Sequence, residues 1–374
     1  LISERMETAI TENDLVIVSA GSSAGTRDFT ADIIAELGEV LVHGVAIKPG
    51  KPVIIGRIEG KPVIGLPGYP LSALTVLREI VTPLVTRYGF PPRYEETIPA
   101  TLSSTLTSDI GMVDFVFLTV GKIGEGWVAV PLSRGAGVQM SAVRSNAYLK
   151  IPADREGFEA GEQVDAHLMV EEAEAERALL ITGSHDPSLD YLADLVQKKN
   201  LDLHSTHVGS MGGLLALKRR ECHAATMHLL AEDGEYNIPY LKKYLPDAGL
   251  TLITIAGREQ GIISRTGITL EDLPGHTFIN RQKGSGTRIL LDHLLKEREV
   301  SPSEIPGYDR EVTTHLAVAL AVKTGEVDAG MGVYSAAKAL DLAFVPVAQE
   351  RYELVMHQDT LDDARVRALV ETVR

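Results

Sequence analysis

Cysteine and positive charge are the two scarce features of this sequence. Cys222 is the only cysteine among 374 residues, which excludes an internal disulfide and a cysteine-rich metal site. Lysine and arginine number 36 against 51 aspartate and glutamate residues, so the net charge is −15. This acidic balance excludes a protein that grips nucleic acid or an anionic membrane with its whole surface. An anionic ligand must therefore meet local cations or backbone N–H groups.

Long apolar runs and a secretory leader are also missing from the sequence. No apolar run approaches the ~18 residues of a membrane-spanning helix. The first residues, Leu1 to Arg5, show neither an initiator methionine nor a charged segment followed by an apolar one. We therefore expect a cytoplasmic protein, and we expect the sequence to be part of a longer chain.

The length of the chain and the rhythm of its apolar segments predict several domains. A chain of 374 residues exceeds one ordinary hydrophobic core. Strands alternate with helical patterns up to about residue 88, which predicts an α/β domain with a mostly parallel sheet. Short strand-like runs then predict a small β-barrel, and the strand–helix alternation returns from residue 177. The predicted fold class is therefore multidomain α/β with a barrel between two α/β parts.

The domain boundaries follow from the same rhythm. We predict an α/β domain over residues 1–88, a barrel over 89–172 and a two-lobed α/β domain over 173–374. Crossover strands near 257–268 and 343–350 should join the lobes, and we expect no single sheet to run through 177–374. Lobe one should comprise about 177–260 plus 348–374, and lobe two about 265–345.

A rigid, cationic segment, His43–Pro52 ("HGVAIKPGKP"), follows the second predicted strand. Its lysines, Lys48 and Lys51, flank a proline and a glycine, so the backbone is stiff at one position and free at the next. This arrangement can hold both ammonium groups near one point. Two positive charges held in this way indicate a binding position for an anion.

Two further loops strengthen that interpretation. Gly65–Pro70 ("GLPGYP") ends at a helix N-terminus, where free N–H groups and the helix dipole favour an anion. Gly21–Asp28 ("GSSAGTRD") is a second glycine-rich loop between a strand and a helix. Each loop alone is more often an ordinary turn. Together, at successive strand ends, they predict one anion-binding edge.

These segments carry a resemblance. "GSSAGTRDFT", "AIKPGKP" and "GLPGYPLSAL", in this order, resemble the molybdopterin molybdenumtransferase family, and "GAGVQMSAVRSNAYLKIPADREGFEAGEQVDAHL" is similar to that family's C-terminal barrel. The resemblance covers residues 1–170. It implies a molybdopterin-binding α/β domain, here N-terminally truncated. It also implies homodimers that insert molybdenum from the substrate molybdate into adenylylated molybdopterin, with Mg²⁺.

The resemblance also implies roles for particular residues. Lys48 and Lys51 would hold anionic oxygens of the pterin phosphate or of molybdate, and Asp28 would contact the metal or the nucleotide; these are the implied catalytic residues. The implied cofactor-binding residues are Gly21, Ser22, Ser23, Gly25, Pro67, Gly68 and Pro70.

The sequence departs from the family pattern in three places. The usual Gly-Gly-Val-Ser is Ala20-Gly-Ser-Ser23 here, and the usual Pro-Gly-Asn-Pro is Pro67-Gly-Tyr-Pro70. Loss of the asparagine removes a donor and an acceptor from a ligand loop. The family's first strand, a "TGDE"-like loop and two further domains do not precede Leu1. We therefore expect this sequence alone not to perform the complete reaction.

The last 200 residues resemble a periplasmic-binding-protein-like domain of the type fused to this transferase family and related to LysR-type effector domains. Within it, Asn280–Arg288 ("NRQKGSGTR") carries a strand end into a helix. Free N–H groups and the hydroxyls of Ser285 and Thr287 can surround a tetrahedral oxyanion, with Arg281 and two more cations nearby. The alternative is that Ser285 only caps the helix.

Other loops of this domain should face the same ligand. Ser184 and Ser210 follow strands of the first lobe, and Tyr334 opens a helix of the second. His185 and His228 could donate to a ligand, although a loop histidine is more often structural. Ser184, His185 and Asp186 cannot form a hydrolase triad, because adjacent residues do not converge. The predicted anion-binding residues are Ser184, Ser210, Ser285, Gly286, Thr287, Arg288 and Tyr334.

Two functions remain open from the sequence. In the first, the appended domain captures a small anion, such as molybdate or tungstate, for the transferase half. In the second, the appended domain senses a small ligand, and the transferase half is a degenerate scaffold for dimerisation. The sequence does not identify the ligand, because N–H and hydroxyl groups suit molybdate, sulfate, phosphate and carboxylate alike.

Overall fold

The computed structural model describes residues 2–19, 29–92, 95–134, 139–231 and 234–373. The chain divides into two compact units. Unit 1 comprises Leu1–Val120 and Gly126–Glu176, and unit 2 comprises Gly121–Glu125 and Arg177–Arg374. Within the described ranges, no helix has both the length and the apolar character needed to cross a membrane.

The first part of unit 1 is a four-stranded mixed sheet with helices. Its elements are α1 (Ile2–Glu12), β1 (Val16–Ser19), α2 (Thr30–Leu37), β2 (Glu39–His43), β3 (Ile47–Lys48), β4 (Ile54–Ile58), β5 (Lys61–Leu66), α3 (Pro70–Val76), a π-helical turn (Leu77–Val81) and α4 (Thr82–Arg87). The strand order is β1–β5–β4–β2, with β1 parallel to β5 and the other neighbours antiparallel. Neighbouring residues of β5, Val63 and Ile64, belong to separate apolar clusters, as expected when side chains alternate between the two faces.

The prediction of a mostly parallel sheet is wrong for the described strands of this part. β4 and β5 form a hairpin through Glu59 and Gly60, whose φ angles are 50° and 81°. Two consecutive positive φ angles match the twist of a tight hairpin turn, and such a turn joins antiparallel strands. The sequence signal was the Glu-Gly pair between two apolar runs.

The second part of unit 1 confirms the predicted barrel. Its elements are β6 (Thr97–Leu102), β7 (Leu106–Thr107), β8 (Val113–Ile123), β9 (Gly126–Pro131), α5 (Gln139–Arg144), β10 (Ala147–Ile151), β11 (Gly157–Phe158), β12 (Gln163–Leu168) and α6 (Glu172–Ala175). The order β10–β12–β6–β9–β8 closes because β10 also pairs with β8. Val116, Leu118, Trp127 and Leu149 belong to the apolar core of the barrel. β3 joins the barrel sheet in parallel to the start of β8, with Lys48 opposite Asp114.

Unit 2 is an α/β fold. Its elements are β13 (Ala178–Gly183), α7 (Ser188–Gln197), β14 (Asp202–His207), α8 (Gly209–Lys218), β15 (Ala224–Met227), α9 (Ile238–Tyr244), β16 (Leu250–Ser264), β17 (Phe278–Arg281), α10 (Gly286–Glu297), β18 (Glu311–Val312), α11 (His315–Lys323), β19 (Ala329–Val333), α12 (Tyr334–Ala339), β20 (Ala343–His357) and α13 (Ala364–Val373). Short 3₁₀ turns lie at Leu273–Gly275, Pro302–Glu304 and Gln358–Asp362.

Two long strands connect the two lobes of unit 2. β14, β13 and β15 lie at one end of the strand order and β19, β17 and β18 at the other, with β20 and β16 between them. β16 and β20 pair antiparallel along their length, so the hydrogen-bonded order is continuous and our expectation of separate sheets is corrected. The β16–β20 ladder has register shifts at Thr254/Ala256 and Gln260/Gly261. Separate apolar clusters, one including Leu179 and one including Phe278, give each lobe its own core.

Candidate functional site

Unit 1 contains a pocket of about 510 Å³ between the cationic segment and the barrel. Its lining comes from residues 47–52, from Tyr69, Leu71 and Ser72 near the start of α3, from Asp109 and Met112, from residues 114–117 of β8 and from Ser133 and Arg134. The structure thus places Lys48 and Lys51 in the lining of one cavity. Pairing of β3 with β8 holds the segment against the barrel.

Two ion pairs lie in this pocket, one exposed and one with a buried carboxylate. Lys48 Nζ lies 3.1 Å from Asp109 Oδ2, and both side chains are largely exposed. Deeper in the wall, the guanidinium of Arg134 donates to the buried carboxylate of Asp114. Burial raises the pKa of Asp114, and the charges of Arg134 and Lys48 act in the opposite direction. Arg134 is a third cation of the pocket, which sequence reasoning missed because it lies in a loop about 80 residues further along the chain.

Of the other residues implied for this site, some lie outside the described ranges and the rest differ in exposure. Asp28, Gly21, Ser22, Ser23 and Gly25 lie outside the described residues. Pro67 is buried, Gly68 is exposed, and Pro70 begins α3. Tyr69, at the position where the family has asparagine, is exposed and lines the pocket.

The donor set of the described residues does not fit a metal ion. No group of three or more histidine, cysteine, aspartate or glutamate side chains within the described ranges is placed to hold one. Asp28, the residue implied for the metal, lies outside those ranges. We therefore assign no step to Mg²⁺ in the pocket.

Unit 2 contains a buried polar cluster where the two lobes meet. Ser184 follows β13, and its Oγ lies 2.7 Å from His228 Nε2. The backbone N–H of His228 donates to Ser210 Oγ at 3.2 Å. α10 begins directly against this histidine, since a Cβ atom at Gly286 would lie 2.4 Å from the backbone oxygen of His228. Three of the predicted residues thus contact His228 directly: Ser184, Ser210 and Gly286. Thr287 is connected to His228 indirectly, because Gln260 bonds both Thr287 and Glu350, and Glu350 pairs with His228.

Paired charges run through the cluster. His228 Nδ1 lies 2.6 Å from Glu350 Oε2, and Glu350 also pairs with Arg258. Arg258 in turn binds Asp186 at 2.6 Å. Desolvation works against the ionised form of Glu350, yet Arg258 and then His228 hold the pKa of this carboxyl to about 2. Burial lowers the pKa of His228 despite the adjacent carboxylate, so the histidine is neutral at neutral pH.

Arg281 is the exception, because this buried cation has no ion pair with a carboxylate of the described residues. Its side chain is 1% exposed, and Nη2 donates to the backbone oxygen of Thr313 at 2.9 Å. Nε and Nη1 have no hydrogen-bond partner in the described part of the chain. Burial, with a contribution from Arg258, lowers the pKa of Arg281 to about 10, so it stays charged at neutral pH.

Two further buried side chains, His315 and Gln260, also have polar atoms without partners among the described residues. His315 is fully buried at the start of α11, and neither ring nitrogen has a hydrogen-bond partner there. Burial and then the charge of Arg281 lower the pKa of His315 well below its usual range. Gln260 donates through Nε2 to Thr287 Oγ1 at 3.0 Å and to Glu350 Oε2 at 2.8 Å, whereas its Oε1 has no partner.

Three predicted residues make other contacts. Ser285 caps α10, since its Oγ accepts from the N–H of Arg288 at 3.2 Å, which is the alternative role noted above. The guanidinium of Arg288 pairs with Asp292 and Glu311 and lies over the ring of Tyr308. Tyr334 is partly exposed and packs its ring edge against Phe344.

Sequence reasoning did not find Gln260, Arg258, Glu350 and His315. The sequence did contain a feature that could have indicated this cluster. The segment "GREQG" (257–261) places an arginine, a glutamate and a glutamine inside a strand that is apolar on both sides of it. Polar residues in a strand covered on both faces need partners. Arg258 and Glu350 are register partners across β16 and β20.

Family comparisons divide the chain in a similar way. A model described as a probable molybdopterin binding domain matches residues 1–87. One described as the MoeA C-terminal region (domain IV) matches residues 99–169. A third, the PBP superfamily domain, matches residues 193–374.

Individual relatives match parts of the chain. A molybdopterin molybdenumtransferase of Haemophilus influenzae is 32% identical over 164 residues, which are 42% of this chain and 40% of that protein. A Staphylococcus aureus protein of the same description is 29% identical over 178 residues, 47% of this chain and 42% of its own. YvgK, an uncharacterised Bacillus subtilis protein, is 32% identical over 206 residues, 51% of this chain and 66% of its own. The chain thus spans about two fifths of the length of these transferase relatives.

Solved structures show similarity to the same two groups. A molybdopterin biosynthesis MoeA protein of Pyrococcus horikosii is 38% identical with a TM-score of 0.38, over 46% of this chain and 41% of that one. An ABC-type phosphate transport receptor of Vibrio cholerae is 17% identical with a TM-score of 0.35, over 52% and 93%. On the family models and the curated relatives, the chain is similar over its first 169 residues to molybdopterin molybdenumtransferases and over residues 193–374 to the PBP superfamily domain.

Proposed function

We propose that the chain is the C-terminal part of a molybdopterin molybdenumtransferase with an appended domain that binds a small oxyanion. The observation that carries the second half is Arg281, a fully buried guanidinium with two N–H-bearing nitrogens that have no partner among the described residues. A buried charge without a counter-ion is strongly destabilising. An anion between the lobes would supply that counter-ion.

The unit 1 pocket supports the transferase half of the proposal. Lys48, Lys51 and Arg134 bring three cations to one cavity of an acidic protein. The exposed Lys48–Asp109 pair can exchange partners at little cost, since exposed ion pairs contribute about 0–1 kcal/mol. We assign this pocket to an anionic group of molybdopterin, and homodimerisation, expected from the family, is open to sedimentation analysis.

The start of α10 supports the oxyanion half. The first N–H groups of a helix have no acceptor within the helix, and the helix dipole adds positive potential there. Ser285 satisfies the N–H of Arg288, so the N–H groups of Gly286 and Thr287 stay available. Together with Arg281 they would surround one tetrahedral oxyanion. Molybdate and tungstate are candidates from the family context, and sulfate and phosphate share their shape.

Isothermal titration calorimetry of the full chain with these four anions tests the proposal. Arg281→Met should weaken binding by about two orders of magnitude, because the buried cation and its charge-assisted hydrogen bonding to the anion are lost. Lys283→Met removes an exposed cation of the same loop and should leave the affinity unchanged. If none of the four anions binds below millimolar, or if Arg281→Met binds as tightly as the native chain, the oxyanion role is wrong.

The alternative from the sequence, a ligand sensor on a degenerate transferase scaffold, makes a different prediction for unit 1. Fusing the chain to the upstream part of the Haemophilus relative should restore molybdenum insertion if the pocket is functional. In that fusion, Lys48→Ala should reduce insertion without changing anion binding in unit 2. A fusion that does not insert molybdenum but still binds the anion in unit 2 would favour the ligand-sensor function.

A second candidate function rests on the line Ser184–His228–Glu350. Its distances of 2.7 and 2.6 Å join residues on three separate segments in the order serine, histidine, carboxylate of a serine hydrolase triad. The triad rejected from the sequence was a different one, Ser184–His185–Asp186. A neutral His228 beside an ionised Glu350 could take the proton of Ser184 as the serine attacks an acyl carbon.

A fluorophosphonate probe tests this candidate directly. Covalent labelling located at Ser184 by mass spectrometry, lost in Ser184→Ala and kept in Ser205→Ala, would support hydrolysis. Absence of labelling at Ser184 would leave the line as a structural network between the lobes.

A further inference from the structure

We infer that the anion bound by unit 2 carries its own hydrogen-bond donor, as protonated phosphate does and as sulfate, molybdate and tungstate do not at neutral pH. This inference rests on the proposed oxyanion binding and specifies which class of oxyanion the site selects. The observation behind it is that unpartnered acceptors, as well as unpartnered donors, lie in the buried cluster.

Gln260 provides the first unpartnered acceptor. The two hydrogen bonds donated by its Nε2, to Thr287 and Glu350, fix the orientation of the amide, because both partners there accept. Oε1 is therefore the carbonyl oxygen, and it has no partner among the described residues although the side chain is fully buried. Only a donor can satisfy this atom.

His315 provides the second. A neutral imidazole has one donor and one acceptor nitrogen, whichever tautomer is present. Burial and Arg281 favour the neutral form, and both nitrogens are buried without a partner in the described ranges. One of them must therefore receive a hydrogen bond for the site to be satisfied, while the other can donate.

Arg281 supplies the matching donors. Its Nη1 can donate to a deprotonated oxygen of the ligand, and its charge acts directly on His315. A ligand that only accepts would satisfy Arg281 and would leave Gln260 Oε1 and one nitrogen of His315 unpaired. Buried acceptors left unpaired lose affinity, and sites built to bond a hydroxyl discriminate strongly against analogues that lack it.

The surrounding charge supports the same class. Asp186 and Glu350, the buried carboxylates of the cluster, both pair with Arg258, so Arg281 contributes one positive charge that a bound anion would meet. A fully ionised dianion would add two negative charges to this buried space. A protonated oxyanion adds fewer negative charges, or it directs its proton toward a buried acceptor. The cost of its desolvation and its repulsion from the buried carboxylates are therefore smaller.

The test compares ligands of nearly equal shape on the unmodified full chain at neutral pH. Inorganic phosphate retains an O–H, whereas sulfate and monofluorophosphate do not. Calorimetry should show phosphate binding at least about tenfold more tightly than either. Because this comparison changes only the ligand, it does not depend on whether a variant folds.

The outcomes separate this inference from the proposed function. If sulfate, molybdate or monofluorophosphate binds as tightly as phosphate and Arg281→Met abolishes that binding, the donor requirement is wrong and oxyanion binding stands. If no anion binds, the proposed function fails first.

The variant Gln260→Met is a second test of whether the ligand must donate a hydrogen bond. This variant removes the acceptor at nearly constant volume, and it should reduce the ratio of phosphate to sulfate affinity to about threefold or less. A ratio unchanged from the native chain in this variant would contradict the assignment of Gln260 as the acceptor.

Discussion

The two units use the same ion-pair chemistry in opposite surroundings. In the unit 1 pocket, the side chains of Lys48 and Asp109 are 52% and 73% exposed. In the unit 2 cluster, those of Arg258 and Glu350 are 6% and 1% exposed. Exposed charges are screened by water and can exchange one partner for another, whereas buried charges are fixed by the cost of leaving either one alone. Lys48 can therefore exchange Asp109 for a ligand, whereas Arg258 and Glu350 must also preserve the fold.

The largest expected effect is the loss of Arg258. Arg258→Met leaves Asp186 and Glu350 as buried carboxylates without their cation. We expect unit 2 to lose about 3–5 kcal/mol in its free energy of unfolding, the usual cost of breaking a buried pair. Far-UV circular dichroism during urea unfolding measures this, while the fluorescence of Trp127, the only tryptophan, follows the barrel of unit 1.

Arg220 provides a matched control within unit 2. It pairs with Asp359 at 2.7 Å, but the two side chains are 52% and 59% exposed. Arg220→Met should therefore cost less than about 1 kcal/mol. Equal penalties at Arg258 and Arg220 would show that burial does not distinguish these pairs.

Local sequence patterns were sufficient for one of the two sites. Lys48, Lys51 and the glycine and proline residues around them lie within one short segment, so their proximity could be predicted without the fold. The barrel was predictable from short strands for the same reason. The Glu59–Gly60 hairpin was also a local signal, and overlooking it produced the wrong parallel sheet.

The unit 2 cluster could not be predicted in the same way. Arg258 and Glu350 are 92 positions apart in the sequence, and they meet only because β16 and β20 pair in one particular register. A slip of one strand by one residue would turn its side chain to the other face and separate the pair. Ser184 and Ser210 were found because they follow strands, whereas Arg281 became the central cation only once its burial and its lack of a carboxylate were known.

A second difference between the units should appear on acidification. Burial, followed by the charge of Arg365, lowers the pKa of His223 from 6.5 to about 4, and its Nδ1 accepts from the N–H of Leu180 at 2.9 Å. Between these pH values the unfolded chain binds the proton and the folded chain does not. Stability is therefore complete above pH 6.5 and declines as pH falls toward 4, by up to about 3 kcal/mol for this residue.

His223→Asn isolates this contribution. The asparagine oxygen can still accept from Leu180 but does not titrate, so the loss of unfolding free energy between pH 7 and 4.5 should shrink by up to about 3 kcal/mol. Urea unfolding at several pH values, followed by circular dichroism, measures the native chain and the variant, and an equal pH dependence in the two would contradict the assignment.

The smallest expected effect lies at the exposed pair of unit 1. Lys48→Met removes the partner of Asp109, and the free energy of unfolding followed by Trp127 fluorescence should change by less than about 1 kcal/mol. Even that change should disappear at about 1 M salt, where the screening length falls to about 3 Å. The penalty of Arg258→Met should persist there, because salt does not reach its carboxylates. A salt-resistant penalty of several kcal/mol at Lys48 would mean that this lysine supports the fold of the pocket, so that its loss could not be used to test ligand binding alone.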